Sequence, residues 1–335
     1  MMNKISEIWD NLVNDQSFQT GILLRRYSAD IVTDISIALT FLEKRRCIAI
    51  SVSNMVDISS WNVLQDIHFE LIPDQRNSNR FLLLLTLVNQ SHKDIFSVLC
   101  EDLIQEVAEE QNERQLIKRI LSRFIKWENL FDKANQEGLT SDEQKGLFGE
   151  LCFLKQLLEH KPNCLLFVES WTGPTAAARD FQNEDWAVEV KSTTATNPQK
   201  IKISNERQLD TTLIPNLFLV HYNLEALNNN GETLNGLIDS IGQLLITQPI
   251  AEQRFKHLLF EVGYFWHHQD LYSRTGYSLI QVKYFQVGEQ FPRLIEITIP
   301  NGVSELKYSI TIAACEPFLI TQKQLFESIK DMSRS

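Results

Sequence analysis

The sequence predicts a mixed α/β (α+β) fold in which a central run of helices and strands is flanked by two β-rich modules. Three observations support this prediction. Residues 33–89 contain short runs with the alternation and apolar content of strands. Beyond residue 91 the apolar positions recur every fourth residue, as on an amphipathic helix. Residues 142–224 then follow the order helix, strand, strand, strand, short helix, strand.

The composition is that of a folded globular protein without a general basic coat. The chain has 335 residues, of which 43% are hydrophobic, and this is ample for a buried core. Its net charge of -11 argues against nonspecific binding to nucleic acids or anionic membranes, although a local basic groove stays open. The longest apolar run, FLLLLTLV, is far shorter than the roughly 20 residues of a membrane span, and no apolar signal segment opens the chain. We therefore predict a cytoplasmic protein with no membrane partner.

Residues 1–112 are predicted to form an N-terminal β-rich module closed by a helix. Two antiparallel hairpins are expected, one from DISIALTF and CIAISVS and one from IHFEL and RFLLLLTLV. Ile95, Leu99, Leu103 and Val107 then recur every fourth residue with acids on the far face. This pattern predicts a long amphipathic helix.

Residues 113–262 are predicted to form the core, and they begin with the most basic segment of the chain. The helix ERQLIKRILSRFIKWENLFDKA places Arg119, Arg123 and Lys126 on one face, at i, i+4 and i+7. A solvated surface face is the usual explanation of such a charge run. The alternative is that these side chains contact DNA phosphates.

The rest of the core alternates helical and strand-like segments. After the helix DEQKGLFGELCFLKQLLEHK come CLLFVESW, AARDFQ, WAVEVKST, KIKIS, the short helix NERQLD with a cap at Ser204, the strand NLFLVHYNL, and the helices LNGLIDSIGQLLI and AEQRFKHLLFEVG. Residues 263–335 are predicted to be a C-terminal antiparallel β module packed on the core. Its strands are SLIQVKYFQV, RLIEITI and VSELKYSITIAA, and the last two are joined through Asn301 and Gly302, a strong hairpin signal.

The strand DWAVEVK carries the candidate chemistry. Strict alternation places Glu189 and Lys191 on one face and an apolar set on the other. A tight hairpin about Asn183 and Glu184 would put Asp180 opposite Ala187, with Glu189 as its diagonal neighbour at about 7–8 Å between backbones. Two carboxylates at that separation can bind one cation between them.

Such a site suits Mg²⁺, which takes one or two carboxylates, keeps several waters and leaves positions for phosphate oxygens. Phosphodiester cleavage requires a metal-activated water and charge neutralisation at the phosphate. Lys191 could orient or deprotonate the water, or stabilise the developing charge. The Glu-x-Lys tripeptide is not specific, because it occurs four times in the chain. A solvated strand face with a cross-strand ion pair explains this pattern equally well.

The preceding helix adds a third acid. In GLFGELCFL, Gly146 and Gly149 lie along one side, and each glycine costs about 1 kcal/mol relative to alanine in a helix. Close approach of this helix to a sheet would explain both. The carboxylate of Glu150 could then reach the strand face that carries the metal; the alternative is an ordinary exposed acid.

Other kinds of site are disfavoured by the sequence. The five cysteines form no CxxC pair and no His lies at zinc-site spacing, so they are expected to be buried, reduced thiols. The WHHQD segment at Trp266 is interpreted as surface or loop. The chain contains neither a GxSxG nucleophile motif nor a GxxxxGK[ST] phosphate loop.

These motifs together resemble the restriction endonuclease-like PD-(D/E)XK nuclease superfamily, with GLFGELCFL on a helix, then RDF, then VEVKST. The segments SWTGP, ISNERQLD and GEQFPRL are similar to those of a bacterial family of PD-(D/E)XK motif proteins. The resemblance spans most of the chain and thins before about Ile95. It implies a restriction endonuclease-like core of a helix, three strands, a helix and a strand.

Carried over residue by residue, the resemblance implies that Asp180 and Glu189 are the two acids of the motif and Lys191 its lysine. It also implies that Glu150 joins Asp180 and Glu189 as a metal ligand, and that Gln208 is the glutamine that some members carry after the core strands. All but Glu150 would then be catalytic. The proline that gives the motif its name is absent before Asp180.

Three further residues are candidates for contacts to DNA. Ser192 and Thr193 follow the lysine and could bind phosphate, although hydroxyls at a strand end are usually turn formers. Arg207 lies near the start of the predicted short helix, where backbone amides could also hold a phosphate.

The resemblance implies a Mg²⁺-dependent DNA endonuclease, with Mn²⁺ able to substitute, that acts in restriction or antiphage defence. Its expected partners are DNA and other defence proteins such as an ATPase or a second nuclease. Cleavage of both strands would need two sites, hence a homodimer or successive nicks. The alternative is a catalytically weak or inactive nuclease-like scaffold, which the net charge of -11 would suit. An RNase or a structure-specific repair nuclease would differ only in substrate.

Overall fold

The computed structural model describes residues 4–15, 20–53, 58, 61, 66–134, 138–160, 163–175, 177–194, 200–214, 216–300, 302–303 and 305–331. The chain divides into two compact units. The first comprises residues 1–138 with 265–267, and the second comprises residues 139–264 with 268–335. The division therefore falls later than the predicted boundary after residue 112, and most of the predicted C-terminal module lies in the same unit as the core.

The first unit is built on a five-stranded antiparallel sheet with three helices. Its strands are β1 (Ile22–Arg26), β2 (Ile35–Thr40), β3 (Arg46–Val52), β4 (Ile67–Pro73) and β5 (Phe81–Leu87). Its helices are α1 (Lys4–Val13), α2 (Lys93–Val107) and α3 (Glu113–Ala134). The strand order is β1-β2-β3-β5-β4.

Both predicted hairpins of this unit are confirmed. β2 pairs with β3, and β4 pairs with β5, in antiparallel register. The sequence analysis missed α1 and β1. The indole N–H of Trp9 on α1 donates to the carbonyls of Ala38 (2.9 Å) and Cys47 (3.1 Å), so this helix is tied to β2 and β3.

The second unit contains the remaining elements. Its helices are α4 (Ser141–His160), α5 (Cys164–Ser170), α6 (Leu234–Leu245), α7 (Pro249–Glu261), α8 (Gln269–Tyr272), α9 (Ile312–Cys315) and α10 (Gln322–Asp331). Its strands are β6 (Phe181–Gln182), β7 (Trp186–Thr193), β8 (Lys200–Ile203), β9 (Asn216–Asn228), β10 (Glu232–Thr233), β11 (Thr275–Val287), β12 (Tyr308–Thr311) and β13 (Leu319–Ile320). The two units together give the predicted mixed α/β fold.

The main sheet of this unit has the order β10-β11-β9-β7-β6, and β13 pairs with β11. β7 and β9 are parallel, whereas β6 is antiparallel to β7. One face of β7 packs against α4, where Gly149 lies against Ser192. The other face contributes to an apolar cluster that includes Ala187, Leu219, Ile201 and Phe285. Strand β7 is thus buried on both sides.

Three predicted segments of the core differ from the structure. CLLFVESW forms helix α5, because the Asn163 side chain accepts the Leu166 amide (3.2 Å) and caps a helix; a short apolar run fits either state. KIKIS is a strand, but it pairs with β12 outside the main sheet. NERQLD is a turn rather than a helix, and it is closed by the side chain of Asn205, not by a cap at Ser204.

The C-terminal β prediction is only partly correct. RLIEITI is not a strand, and it contains a single 3₁₀ turn at Glu296–Thr298. The predicted turn residue Asn301 lies outside the described residues. Strand β12 finds its partner in β8. A strand-like alternation in the sequence does not specify the partner strand, because pairing depends on which strand edge the tertiary fold leaves accessible.

No helix within the described ranges has both the length and the apolar character needed to cross a bilayer.

Candidate active site

The hairpin of β6 and β7 brings the first two acids together. Its register pairs Phe181 with Val188 and Gln182 with Ala187, two residues away from the predicted pairing. The turn is centred on Glu184 and Asp185, one residue later than predicted, and the Asn183 side chain supports it by accepting the amides of Asp185 and Trp186, both at 2.9 Å. The same register, continued by one residue beyond the pair of Phe181 and Val188, sets Asp180 beside Glu189.

A shift of two residues leaves every side chain on its predicted face, because side chains alternate with a period of two. The acids therefore approach more closely than expected, yet on the expected side. Asp180 is fixed there by its Oδ2, which accepts the backbone amide of Val190 at 2.7 Å. The loop before it is held by the Asp180 carbonyl, which accepts the amides of Thr172 (2.8 Å) and Gly173 (2.9 Å).

Glu189 and Lys191 form the centre of the site. The Glu189 side chain is fully buried, and its Oε1 lies 2.5 Å from Nζ of Lys191. This ion pair engages Oε1, and neither Glu189 oxygen accepts a further hydrogen bond within the described part of the chain. A buried carboxylate with unused acceptor capacity is costly unless another group completes it.

Glu150 on α4 reaches the same place. Its Oε2 accepts the indole N–H of Trp171 at 2.7 Å. An ideal Cβ at Gly173 would lie 3.0 Å from Glu150 Oε2 and 3.3 Å from Asp180 Oδ1. The two carboxylates therefore border one small space, which glycine keeps clear.

The predicted role of the two helix glycines is half correct. A Cβ at Gly149 would lie only 1.8 Å from Oγ of Ser192, so α4 can approach β7 only with glycine at this position. A Cβ at Gly146 would meet nothing within 4 Å. Close approach of the helix to the sheet therefore explains Gly149 and not Gly146.

The pKa values of the three acids are raised because the carboxyl groups are shielded from solvent and lie close together. Burial, then repulsion from Asp180, raises the pKa of Glu189 to about 8 and raises the pKa of Glu150 well above its usual range. Burial also raises the pKa of Asp180, although Lys191 opposes this. Burial alone would lower the pKa of Lys191, but Glu189 and Asp180 together raise it to about 12. Lys191 therefore carries its charge at neutral pH.

Arg179 is a part of the site that the sequence analysis noted only as a missing proline. Its side chain is 8% exposed, and its Nη2 donates to the carbonyl of Asp210. Burial lowers the pKa of Arg179, whereas the charge of Glu189 raises it. The site thus contains a second buried cation, which apolar periodicity could not reveal.

The hydroxyl groups of Ser192 and Thr193, which follow Lys191, both lie next to other protein groups. The Ser192 Oγ is buried beneath α4 and accepts or donates no hydrogen bond within the described residues. This burial disfavours a direct phosphate contact by Ser192. Thr193 Oγ1 lies 2.8 Å from Nε2 of His221, a buried histidine that stands beside Lys191 in the β7–β9 register. Burial lowers the pKa of His221 to about 4.

Gln208 and Arg207 lie on the 204–211 turn. Gln208 is buried, and its Oε1 accepts the amide of Ser204 at 2.8 Å. Arg207 is exposed to solvent. No hydrogen bond or ion pair joins Gln208 to the three acids within the described residues, so its catalytic role stays a prediction, as does phosphate binding by Arg207.

The basic face of α3 is largely engaged with acids of the first unit. Arg119 pairs with Glu110 at 3.2 Å, and Arg123 makes a two-pronged ion pair with Asp102. The side chain of Lys126 lies outside the described residues. These ion pairs favour the interpretation of a structural or solvated face over that of a phosphate-binding face.

The donor set fits a hard divalent cation. Asp180, Glu189 and Glu150 offer only carboxylate oxygens, and Glu189 has unused acceptor capacity. Among the described residues no three acid, histidine or cysteine side chains converge closely enough to hold an ion by themselves. Mg²⁺ does not need three such ligands, since it binds through one or two carboxylates and keeps several waters.

Comparison with protein families agrees with this geometry. Residues 5–313 match the family described as "Putative PD-(D/E)XK family member, (DUF4420)". The chain belongs to this family. The resemblance therefore extends further towards the N-terminus than the motifs indicated. No curated protein and no solved structure matches the chain significantly.

Membership in the PD-(D/E)XK family accounts for the restriction endonuclease-like core. Helix α4, the β6–β7 hairpin and the parallel strand β9 make up that core. The structure brings together Asp180, Glu189 and Lys191, the three residues that the resemblance assigned to the motif. The family points to a nuclease-type hydrolase.

Proposed function

We propose that the protein is a Mg²⁺-dependent DNA endonuclease that hydrolyses phosphodiester bonds. The observation that carries this proposal is the Glu189 carboxylate, which is fully buried beside Asp180 and Lys191 with no hydrogen bond within the described residues. A merely structural carboxylate in such surroundings would be expected to accept hydrogen bonds. A cation bound by Glu189 and Asp180 would satisfy this requirement.

Asp180 and Glu189 would hold the metal directly, and Glu150, which borders the same space, would bind it through one of its waters. A bound Mg²⁺ would supply a polarised water and neutralise the phosphate. Mn²⁺ can substitute because it favours the same oxygen donors.

Lys191 would act as a fixed positive charge rather than as a base. Its pKa of about 12 keeps the ammonium protonated at neutral pH. An ammonium can orient a water molecule by donating a hydrogen bond to the lone pair of the water oxygen. It can also stabilise the negative charge that develops on the phosphate. Deprotonation of the water by Lys191, the other possible role, is less favoured because its ammonium is already paired with the Glu189 carboxylate.

The decisive experiment is metal-dependent nicking of supercoiled plasmid. Wild-type protein with Mg²⁺ or Mn²⁺ should cut, and Asp180→Ala and Lys191→Ala should lower the rate at least 100-fold, on the order expected for loss of transition-state stabilisation. Matched controls are Glu184→Ala, an exposed acid of the same hairpin, and Lys202→Ala, an exposed lysine of β8. If the wild type cuts nothing, or the controls lose as much activity, the proposal is wrong.

Substrate choice and cellular role need separate tests. A panel of duplex, single-stranded and branched DNA and of RNA would identify the substrate. For a defence role, cells carrying the wild type should resist phage infection, and cells carrying Asp180→Ala should not. Equal protection by both would favour a non-catalytic scaffold, the second candidate, which the net charge of -11 suits. Partner ATPases or nucleases, and a homodimer, belong to this same proposal.

A further inference from the structure

The charges around the candidate metal position are unevenly balanced. Three carboxylates, those of Glu150, Asp180 and Glu189, lie near the buried ammonium of Lys191. The buried guanidinium of Arg179 adds a second positive charge, which acts on Glu189 as well as on Asp210. Burial raises the pKa values of these acids in the metal-free protein, but a bound cation would keep them deprotonated, and the five side chains would then carry one net negative charge. A divalent cation would convert this excess into one positive charge, which equals in magnitude the charge of a single phosphodiester.

Arg179 is held where its charge acts on Glu189. It directly precedes Asp180, whose Oδ2 accepts the Val190 amide at 2.7 Å and so anchors this end of the hairpin next to Glu189. The Arg179 side chain is 8% exposed and donates to the carbonyl of Asp210. Its Nε has no hydrogen-bond partner within the described residues, so the side chain is not explained by hydrogen bonding alone.

A buried arginine keeps its charge, because its pKa is far above neutrality. Burying such a charge is costly unless it is compensated by nearby acids. The same charge would not improve metal binding, since it repels a divalent cation. Its benefit must therefore appear after the metal is bound, when a phosphate enters.

We propose that Arg179 is a positioning residue whose charge leaves the metal-loaded site positive, and so favours binding and cleavage of the phosphodiester rather than binding of the metal. This inference rests on the proposed endonuclease function. It predicts that loss of the Arg179 charge lowers the cleavage rate without lowering the metal affinity. Structural damage to the site would lower both.

The test uses Arg179→Gln, which keeps a hydrogen-bond donor but removes the charge. Mn²⁺ affinity is measured by electron paramagnetic resonance, and plasmid nicking is measured at saturating Mn²⁺. Arg179→Gln should bind Mn²⁺ at least as tightly as the wild type and should cut at least tenfold more slowly. Arg179→Lys, which keeps the charge, should retain at least half of the wild-type rate. Arg179→Met serves as a second uncharged variant if the glutamine variant does not fold.

A matched control is provided by Arg293. Its Nη1 donates to the Leu209 carbonyl (2.5 Å) and to Thr211 Oγ1 (3.0 Å), so it anchors the same turn that Arg179 anchors. Arg293→Gln should lower the melting temperature without separating metal affinity from cleavage. The same separation in Arg293→Gln would show that turn anchoring, and not charge, is responsible.

The inference is overturned if the uncharged Arg179 variants lose Mn²⁺ affinity together with activity, if they cut less than tenfold more slowly than the wild type, or if lysine rescues no better than glutamine. A wild type that neither binds Mn²⁺ nor cuts is a different result. It overturns the proposed function itself, and the inference with it.

Discussion

The indole N–H of Trp171 donates to Oε2 of Glu150 across a distance of 2.7 Å. Trp171 is fully buried, and it begins the segment that leads from α5 to the Asp180 loop. One hydrogen bond therefore links the helix that carries the third acid to the loop that positions the first. It explains how a carboxylate on α4 is held towards a site built on a hairpin.

Replacement of Trp171 by phenylalanine should release Glu150. The variant keeps most of the aromatic volume but removes the donor, so we expect a loss of about 1–3 kcal/mol in the free energy of unfolding, typical of a buried polar group left without its hydrogen bond. Metal-dependent nicking should fall as well. Trp186→Phe, at a buried tryptophan of β7, is the control. Equal effects of both changes on nicking would mean that the Glu150 contact has no special role.

Alanine substitution of the two glycines of α4, Gly146 and Gly149, should change the free energy of unfolding in opposite directions. Gly146→Ala should stabilise the protein by about 1 kcal/mol, because alanine is the better helix former and the space is open. Gly149→Ala should destabilise it by about 1–3 kcal/mol, because its Cβ would collide with Ser192. Urea denaturation measures both changes. Addition of Ser192→Gly to Gly149→Ala should restore part of the stability, and a purely additive double variant would contradict the collision.

The raised pKa of Glu189 predicts how stability depends on pH in the absence of metal. Its folded-state pKa of about 8 exceeds the ordinary 4.5, so the folded state binds more protons than the unfolded state between these values. The free energy of unfolding should therefore fall as pH rises towards 8, by at most about 1.4 kcal/mol per pH unit for this group. Glu189→Gln should flatten that slope in denaturation curves with EDTA.

The measurement is cleanest between about pH 6.5 and 8. His221, whose pKa is lowered to about 4 by burial, acts in the opposite direction below its ordinary value of 6.5, where stability is lost as pH falls. The pKa of Lys191 is raised from 10.5 to about 12, so its contribution is constant in this window and is lost only above it. Mg²⁺ should stabilise the protein more at pH 8 than at pH 6.5, since fewer protons then compete for the carboxylates. An unchanged slope in Glu189→Gln would refute the assignment.

Arg207 and Arg119 should differ in their contribution to DNA binding. Arg207 is exposed near the end of the core strands, whereas Arg119 is paired with Glu110. If Arg207 contacts a phosphate, Arg207→Ala should lower the slope of log affinity against log salt by about 1, and Arg119→Ala should leave it unchanged. Both slopes can be measured by fluorescence anisotropy with a labelled duplex in the presence of Ca²⁺. The salt concentration is varied from about 50 to about 200 mM, a range in which such slopes are resolved. The reverse result would restore the α3 face as a candidate.

Much of the site could be predicted from local pattern. The alternation in Trp186–Thr193 correctly places Glu189 and Lys191 on one face, because the side-chain period of a strand is a property of the backbone. Gly149 correctly indicated a close approach of α4 to the sheet. The predicted register of the hairpin was wrong by two residues, since the Asn183 side chain stabilises a turn that is centred one residue later than predicted.

The errors share a cause. Segment 164–171 has the composition of a strand and forms a helix, and segment 293–299 alternates like a strand and forms none. In both, the local sequence is compatible with more than one state, and packing selects between them. The contacts of Arg179, Trp171 and Gly173 could not be predicted for a related reason: each acts through a residue distant in sequence or through the space that it leaves free.

The sequence by itself determined the candidate residues and their family: two acids and a lysine on a strand and its hairpin, and a glutamate on a glycine-bearing helix. These follow from side-chain type and from the fixed periods of strand and helix. Only the tertiary structure decided that Asp180 stands beside Glu189, that Glu189 is fully buried, and that Arg179 and Trp171 complete the site. Burial and charge balance depend on what surrounds a residue in space, and neighbours in space are set by the packing of the whole chain.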